Sequence, residues 1–198
     1  MYSEKNYLIH PQTLIIYLLL AGITSLFVGF SIAYMYTRIQ AGLNPIKLPP
    51  LFYLNSFFLL GSSLTLIKAK SSYLDDETEK YQWYLLGTLI LTFLFLVMQI
   101  LAWQQLLDAN VTLRSGNMAA YMYVISGIHF AHVIGGIPFL AYFYYVSKKQ
   151  MVEPVSVLIY FSDPAKKRKL DLLTLYWHFL DVLWIYLIIL FLLNYLIQ

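Results

Sequence analysis

Cysteine is absent from the 198 residues, which removes disulfides, thiolate metal sites and thiol nucleophiles and leaves no redox compartment to read from sulfur chemistry. Charge is nearly as scarce. Asp, Glu, Lys and Arg make up 12% of the chain, about half their share in soluble domains. The excess of basic over acidic residues is three, too small for a nucleic-acid surface once its distribution is considered, so no nucleic-acid partner is expected. A cleavable leader is not expected either. Glu4 and Lys5 precede an apolar run too long for a signal-peptide core, with no small-residue cleavage pattern after it. Internal repeats are missing, as are the paired, interrupted helices of inverted-repeat transporters.

What the chain has is hydrophobic length. It is 60% hydrophobic and 18% aromatic, a composition that makes lipid its solvent. Five apolar runs reach or approach the roughly 20 residues that cross a hydrocarbon core about 30 Å thick. They fall at residues 14–36, 51–67, 85–107, 119–146 and 172–196, the second being the shortest. The expected fold is therefore all-α: one polytopic membrane domain over residues 1–198, a bundle of five transmembrane helices. Prolines and charges punctuate the runs, and the connections are too short for a separate soluble domain. Residues 147–171 read as the longest of these loops. Tyr34, Tyr36, Tyr53, Tyr81, Trp83, Tyr121, Tyr144, Tyr145 and Tyr176 gather at run edges as an interfacial belt.

Orientation follows from the cations. Lys5, Lys68, Lys70, Lys80, Lys148, Lys149, Lys166, Lys167, Arg168 and Lys169 fall on one side of five crossings, and Arg38, Lys47 and Arg114 on the other. Ten against three puts the N-terminus in the cytoplasm and the C-terminus outside. The run Lys166 to Lys169 reads first as a topology signal, and secondarily as a dock for a partner or anionic lipid.

The polar groups deep in the spans are few. Asp181 is the one carboxylate well inside a run, and an isolated charge at that depth needs neutralisation, solvent or a donor. Trp177, His178, Asp181, Trp184 and Ile185 share one helical arc, so this face should point at protein, where an imidazole or indole N–H can satisfy the carboxylate. On the fourth run, Gly127, Ala131 and Gly135 recur every four residues, the pattern that allows close helix approach. His129, His132 and Gly136 form another stripe roughly opposite. Pro138 adds an expected kink.

Three chemistries suit these residues: structural hydrogen bonding, a proton relay, or a metal or haem site made by His129, His132, His178 and Asp181. Depth weighs against the last. At 1.5 Å per residue, His132 and His178 differ in depth by roughly 12 Å, and His132 and Asp181 by about 7 Å. Two ligands do not close a site. No metal is assigned, and no catalytic residue.

Three segments carry a resemblance. The run Tyr176-Trp177-His178-Phe179-Leu180-Asp181-Val182-Leu183-Trp184 resembles the YWHFVDVVW signature in the last helix of subunit III of haem–copper terminal oxidases. The segment Ser126-Gly127-Ile128-His129-Phe130-Ala131-His132-Val133-Ile134-Gly135-Gly136 is similar to that family's TGFHGLHVIIG. Leu86-Gly87 through Gln99 to Trp103 is similar to the preceding helix, where Gln and Trp recur at this spacing. Asp171 stands where the family usually carries Glu, and weaker likeness reaches Ala33-Tyr34 and Leu54-Asn55.

The resemblance implies the short, five-helix bacterial form, which lacks the first two of seven helices. It implies a multi-pass protein of the bacterial inner membrane that holds no haem or copper itself. Those cofactors are expected in the catalytic subunit I against which it packs, with other oxidase subunits, or a larger respiratory supercomplex, as further partners and phospholipids bound. Its expected work in aerobic respiration is to support the stability of the complex and proton uptake by the catalytic subunit. His129, His132, His178, Asp181, Trp177, Trp184, Gln99 and Trp103 become residues that hold the bundle together. Two departures stand out: no acid occurs near Ile23 and Thr24, and Ala102 replaces a family Glu beside Trp103. A subunit-III-like accessory protein of nitric oxide reductase and a free-standing histidine-based membrane metalloenzyme are the alternatives.

Overall fold

The computed structural model describes residues 10–197. Among these the chain is all helix and turn: α1 (Pro11–Ala41), α2 (Pro50–Leu74), α3 (Thr78–Asp108), α4 (Asn117–Gln150), α5 (Pro154–Ser162) and α6 (Pro164–Leu196). All but α5 are long and apolar enough to cross a membrane. The positions Glu4 and Lys5 lie outside the described residues. Four helices open on proline, where the missing N–H is not needed and the fixed φ is already helical.

Each span is longer than its apolar run. The helices continue past the hydrocarbon-length stretch because polar ends find partners outside it: Lys70 of α2 meets Asp171 of α6 at 2.7 Å. Residues 75–77 turn α2 into α3, with Asp76 at φ 56°, a left-handed position that Asp tolerates better than most residues. Gly42 ends α1 at φ 59°, its N–H returned to the Arg38 carbonyl, the αL cap that glycine takes without strain. α4 runs unbroken through Pro138.

The expected loop at residues 147–171 is corrected. It is mostly helix, since α4 extends to Gln150, α5 occupies nine residues and Asp163 caps α6 by accepting from the Ala165 N–H at 2.8 Å. The cations Lys166 to Lys169 therefore lie in the first turns of α6.

The aromatic belt needs correction too. Trp83, Tyr36 and Tyr145 are exposed, but Tyr34 and Tyr81 are buried. Tyr34 packs edge-on against Tyr121 of α4 and Phe191 of α6, while Tyr81 meets Tyr73 and Tyr160. Sequence position near a run edge does not reveal which way a ring points.

The interior has two centres. One gathers Phe27, Phe52, Phe95, Ile125 and Leu187 from α1, α2, α3, α4 and α6. The other, at the α5 end, joins Leu66, Tyr81, Leu140, Tyr160 and Leu170. Outside, Ile15, Phe57, Phe93, Phe139 and Val182 are exposed, which suits a bundle whose surroundings are acyl chains.

Candidate functional site

α6 is fastened to α2 by a ladder of side-chain hydrogen bonds in antiparallel register. Trp184 Nε1 donates to Ser56 Oγ at 3.1 Å, Trp177 Nε1 to Ser62 Oγ at 3.4 Å, and Ser63 Oγ meets His178 Nδ1 at 2.7 Å. Beyond the last rung lies the Lys70–Asp171 ion pair. The seven-residue separations of Trp177 from Trp184 and of Ser56 from Ser63 bring the same faces of both helices round together after two turns.

The carboxylate is not where the donors go. Both indoles turn to serines, and His178 Nδ1 stands 3.7 Å from Asp181 Oδ2, beyond hydrogen-bond length. Asp181 is 5% exposed, and its Oδ2 has no hydrogen-bond partner among the described residues. The expectation that an indole N–H satisfies Asp181 is corrected: serine oxygens, which offer lone pairs to N–H donors, take both indoles, and His178 is the imidazole left beside the carboxylate. A cavity of about 10 Å³ borders Asp181, lined also by Ser62, Thr92, Phe95, Val133 and Trp177. That is the volume of one water, with hydroxyls on two walls to bind it.

The two histidines of α4 part company. His129 is fully buried, its ring 5.0 Å from that of Trp184 and 6.0 Å from that of Phe95. Neither of its nitrogens has a partner among the described residues, so it sits as an aromatic plate between α3 and α6. His132 turns toward α1, its ring 6.1 Å from Phe27, with Nδ1 2.7 Å from its own helix's Ile128 carbonyl. The His132 carbonyl accepts from the Tyr176 hydroxyl at 2.8 Å. Of the four ionisable residues that sequence reasoning singled out, only His178 and Asp181 come together. Among the described residues no three His, Asp or Glu side chains converge on a common centre.

On α3, Gln99 Oε1 accepts from Asn55 Nδ2 of α2 at 2.9 Å, both residues fully buried. Trp103 Nε1 donates to Ser126 Oγ of α4 at 3.1 Å. Ala102, beside Trp103, is fully buried.

The small residues sort themselves differently from their spacing. A Cβ on Gly136 would lie 2.8 Å from Trp177 Cζ3 and 3.0 Å from Tyr176 Cε1, so α4 and α6 meet there at a distance only glycine allows. Gly127 and Gly135 have nothing within 4 Å of such a Cβ, and Ala131 and Gly135 are exposed. Among the described residues, then, no helix of this chain lies on the stripe of Gly127, Ala131 and Gly135. A period of four residues identifies a smooth stripe and not the helix that lies on it.

Sequence reasoning missed Ser56, Ser62 and Ser126, the acceptors of the three indole bonds described here, and Ser63, the partner of the His178 imidazole. Serine carries no charge and breaks no apolar run. The available signal was periodicity: Asn55 and Ser62, like Ser56 and Ser63, are seven apart in the least hydrophobic span.

The chain resembles known proteins over most of its length. It is similar to cytochrome c oxidase subunit 3 of Papio hamadryas, 29% identical over 147 residues that cover 74% of this chain and 50% of that protein. The Mycosarcoma maydis protein of that name is 30% identical over 149 residues, 75% of this chain and 48% of the relative. The probable cytochrome c oxidase subunit 3 of Mycobacterium leprae is 27% identical over 167 residues, 80% and 76%. The chain thus spans about half the length of the first two and three-quarters of the third. The family model described as cytochrome c oxidase subunit III matches residues 33–195, a stretch that reaches from the end of α1 through the whole ladder of α6. The seam, the buried amide pair and the Gly136 contact are therefore the interior of a chain that belongs to the cytochrome c oxidase subunit III family.

Proposed function

We propose that this chain is the non-catalytic subunit III of a bacterial haem–copper oxidase, an inner-membrane protein with its N-terminus in the cytoplasm. It packs against the catalytic subunit I, which carries the haem and copper, and supports that subunit's durability and proton uptake. The observation that carries the reading is the direction of the polar side chains. Trp177, Trp184, His178, Gln99 and Trp103 are all bound to residues of neighbouring helices in the same chain. Such side chains fix helix register and hold no substrate. The predominance of cations at one end of the bundle supports the orientation.

In its chemistry, the subunit works by presenting a rigid outer face. Asp181 and its small cavity hold the intramembrane polar chemistry within the bundle. The test is gentle solubilisation followed by identification of the chains that co-purify. A haem-bearing subunit with oxygen-reducing activity is expected. Co-purification with a nitric oxide reductase instead, or stoichiometric iron, copper or zinc in this chain alone, overturns the proposal.

A further inference from the structure

Six cations, Lys148, Lys149, Lys166, Lys167, Arg168 and Lys169, crowd the end of the bundle where α4 hands over to α5 and α6. The neighbouring acids are partly spoken for. Asp163 caps α6, Asp171 pairs with Lys70 and Glu153 stands at the start of α5, where a helix N-terminus favours negative charge; Asp75, Asp76, Glu77 and Glu79 sit across the α2–α3 turn at the same end. Within residues 147–171 six cations face three acids.

Between these cations lies α5. One face is pinned to the bundle: Tyr160 is 1% exposed, its carbonyl accepts from the Tyr73 hydroxyl at 3.1 Å, and Phe161 packs edge-on against Tyr73. The other face turns Val155, Leu158 and Ile159 outward, with Val152 just ahead of it, all 64% exposed or more. A nine-residue helix too short to span, apolar on its outer side and flanked by lysines, is built to lie in the plane of the membrane interface.

An open cleft of about 450 Å³ sits at this junction. Lys149, Gln150, Ser156 and Lys166 give it a polar wall, Val152 and Ile159 an apolar one, and Glu153 is the acid on its rim. Lys166 is already oriented. It donates to Gln150 Oε1 at 2.7 Å and stands 4.0 Å from the centre of the Tyr160 ring, and an ammonium has two further donors to offer.

We propose that this cleft binds the headgroup of an anionic phospholipid, with the phosphate between Lys149 and Lys166 and the acyl chains along Val152, Val155 and Ile159. The apolar wall selects a lipid over a soluble anion, which has no use for it. The site lies at the far end of α6 from Trp184 and needs only that the chain spans a membrane, so it stands or falls independently of the subunit reading above.

The full chain, extracted in mild detergent with the subunits that accompany it, is equilibrated with equal amounts of phosphatidylglycerol and phosphatidylcholine. Lipid retained after washing is then counted by mass spectrometry. Wild type is expected to favour phosphatidylglycerol. Lys149→Gln combined with Lys166→Gln should lower its retention about tenfold and leave phosphatidylcholine unchanged, while Lys149→Arg with Lys166→Arg restores it. Equal retention of both lipids by wild type, or undiminished phosphatidylglycerol in the Gln variant, overturns the proposal. So does full displacement of phosphatidylglycerol by millimolar inorganic phosphate, which would assign the cleft to a soluble anion.

Discussion

α6 and α1 are the two helices whose attachments differ most. α6 buries 50% of its most apolar stretch and α1 only 22%. The α6 seam is directional, made of indole, imidazole and ion-pair contacts to α2 and a glycine-tight approach to α4. α1 leans on α4 and α6 through rings, Phe27 against His132 and Tyr34 against Tyr121 and Phe191, with polar bonds confined to Thr37 and Arg38 at its C-terminal end. Acyl chains and apolar side chains are alike as solvents, so greasy contact alone discriminates weakly between packing on protein and facing lipid. Polar bonds and backbone fit do discriminate. The comparison teaches that α6 is specified by its own chain, whereas α1 keeps a broad apolar face for whatever surrounds the bundle.

The contrast breaks most readily at glycine. Gly136→Leu should destabilise the bundle by about 3 kcal/mol, at the upper end of ordinary overpacking costs, because the rings of Tyr176 and Trp177 have to move. Gly29→Leu on α1, where nothing lies within 4 Å, should leave the detergent melting temperature unchanged. Equal losses at both positions would mean that α1 is packed as closely as α6.

A buried amide pair gives the next largest effect. Asn55→Leu strands Gln99 and should cost about 2 kcal/mol, whereas Asn55→Leu with Gln99→Leu should recover most of it. A double-variant cycle in which the two losses simply add would show that the pair is not coupled.

Ser63→Ala removes the bond to His178 and should cost about 1 kcal/mol. Thr37→Val, which removes a 3.3 Å contact between α1 and Tyr121, should cost less. A larger loss from the α1 variant reverses the comparison.

Asp181→Asn should have the smallest effect among the polar variants, less than about 1 kcal/mol, because Asp181 Oδ2 has no described hydrogen-bond partner to lose. A loss comparable to that of Asn55→Leu would reveal a bond to this carboxylate that its 3.7 Å separation from His178 conceals.

The five spans were legible because length and hydrophobicity are properties of a segment by itself. Contacts belong to pairs of segments, and there the reading thinned. Gly135 and Gly136 are neighbours in sequence with the same composition around them, yet one faces outward and the other holds Trp177 at bay. The direction in which Trp177 and Asp181 face was readable from helical periodicity, since both are buried. Their partners were not, because Ser56 and Ser62 look like any mildly polar residue in a span. α5 escaped for another reason: Pro154, Pro164 and four consecutive cations resemble loop punctuation, whereas prolines at helix starts are well tolerated and cations continue a helix readily.

Arg38, in the last turn of α1, donates to Asn194 Oδ1 of α6 at 2.9 Å and to the Ile197 carbonyl. These groups are 156 and 159 residues apart in sequence. A ribosome delivers Arg38 long before Asn194 exists, and α2, the helix made next, is not the one α1 rests on. The last turn of α1 therefore finds its polar partners only after the helices between it and α6 have been made, so this clasp is among the later contacts of the bundle to form.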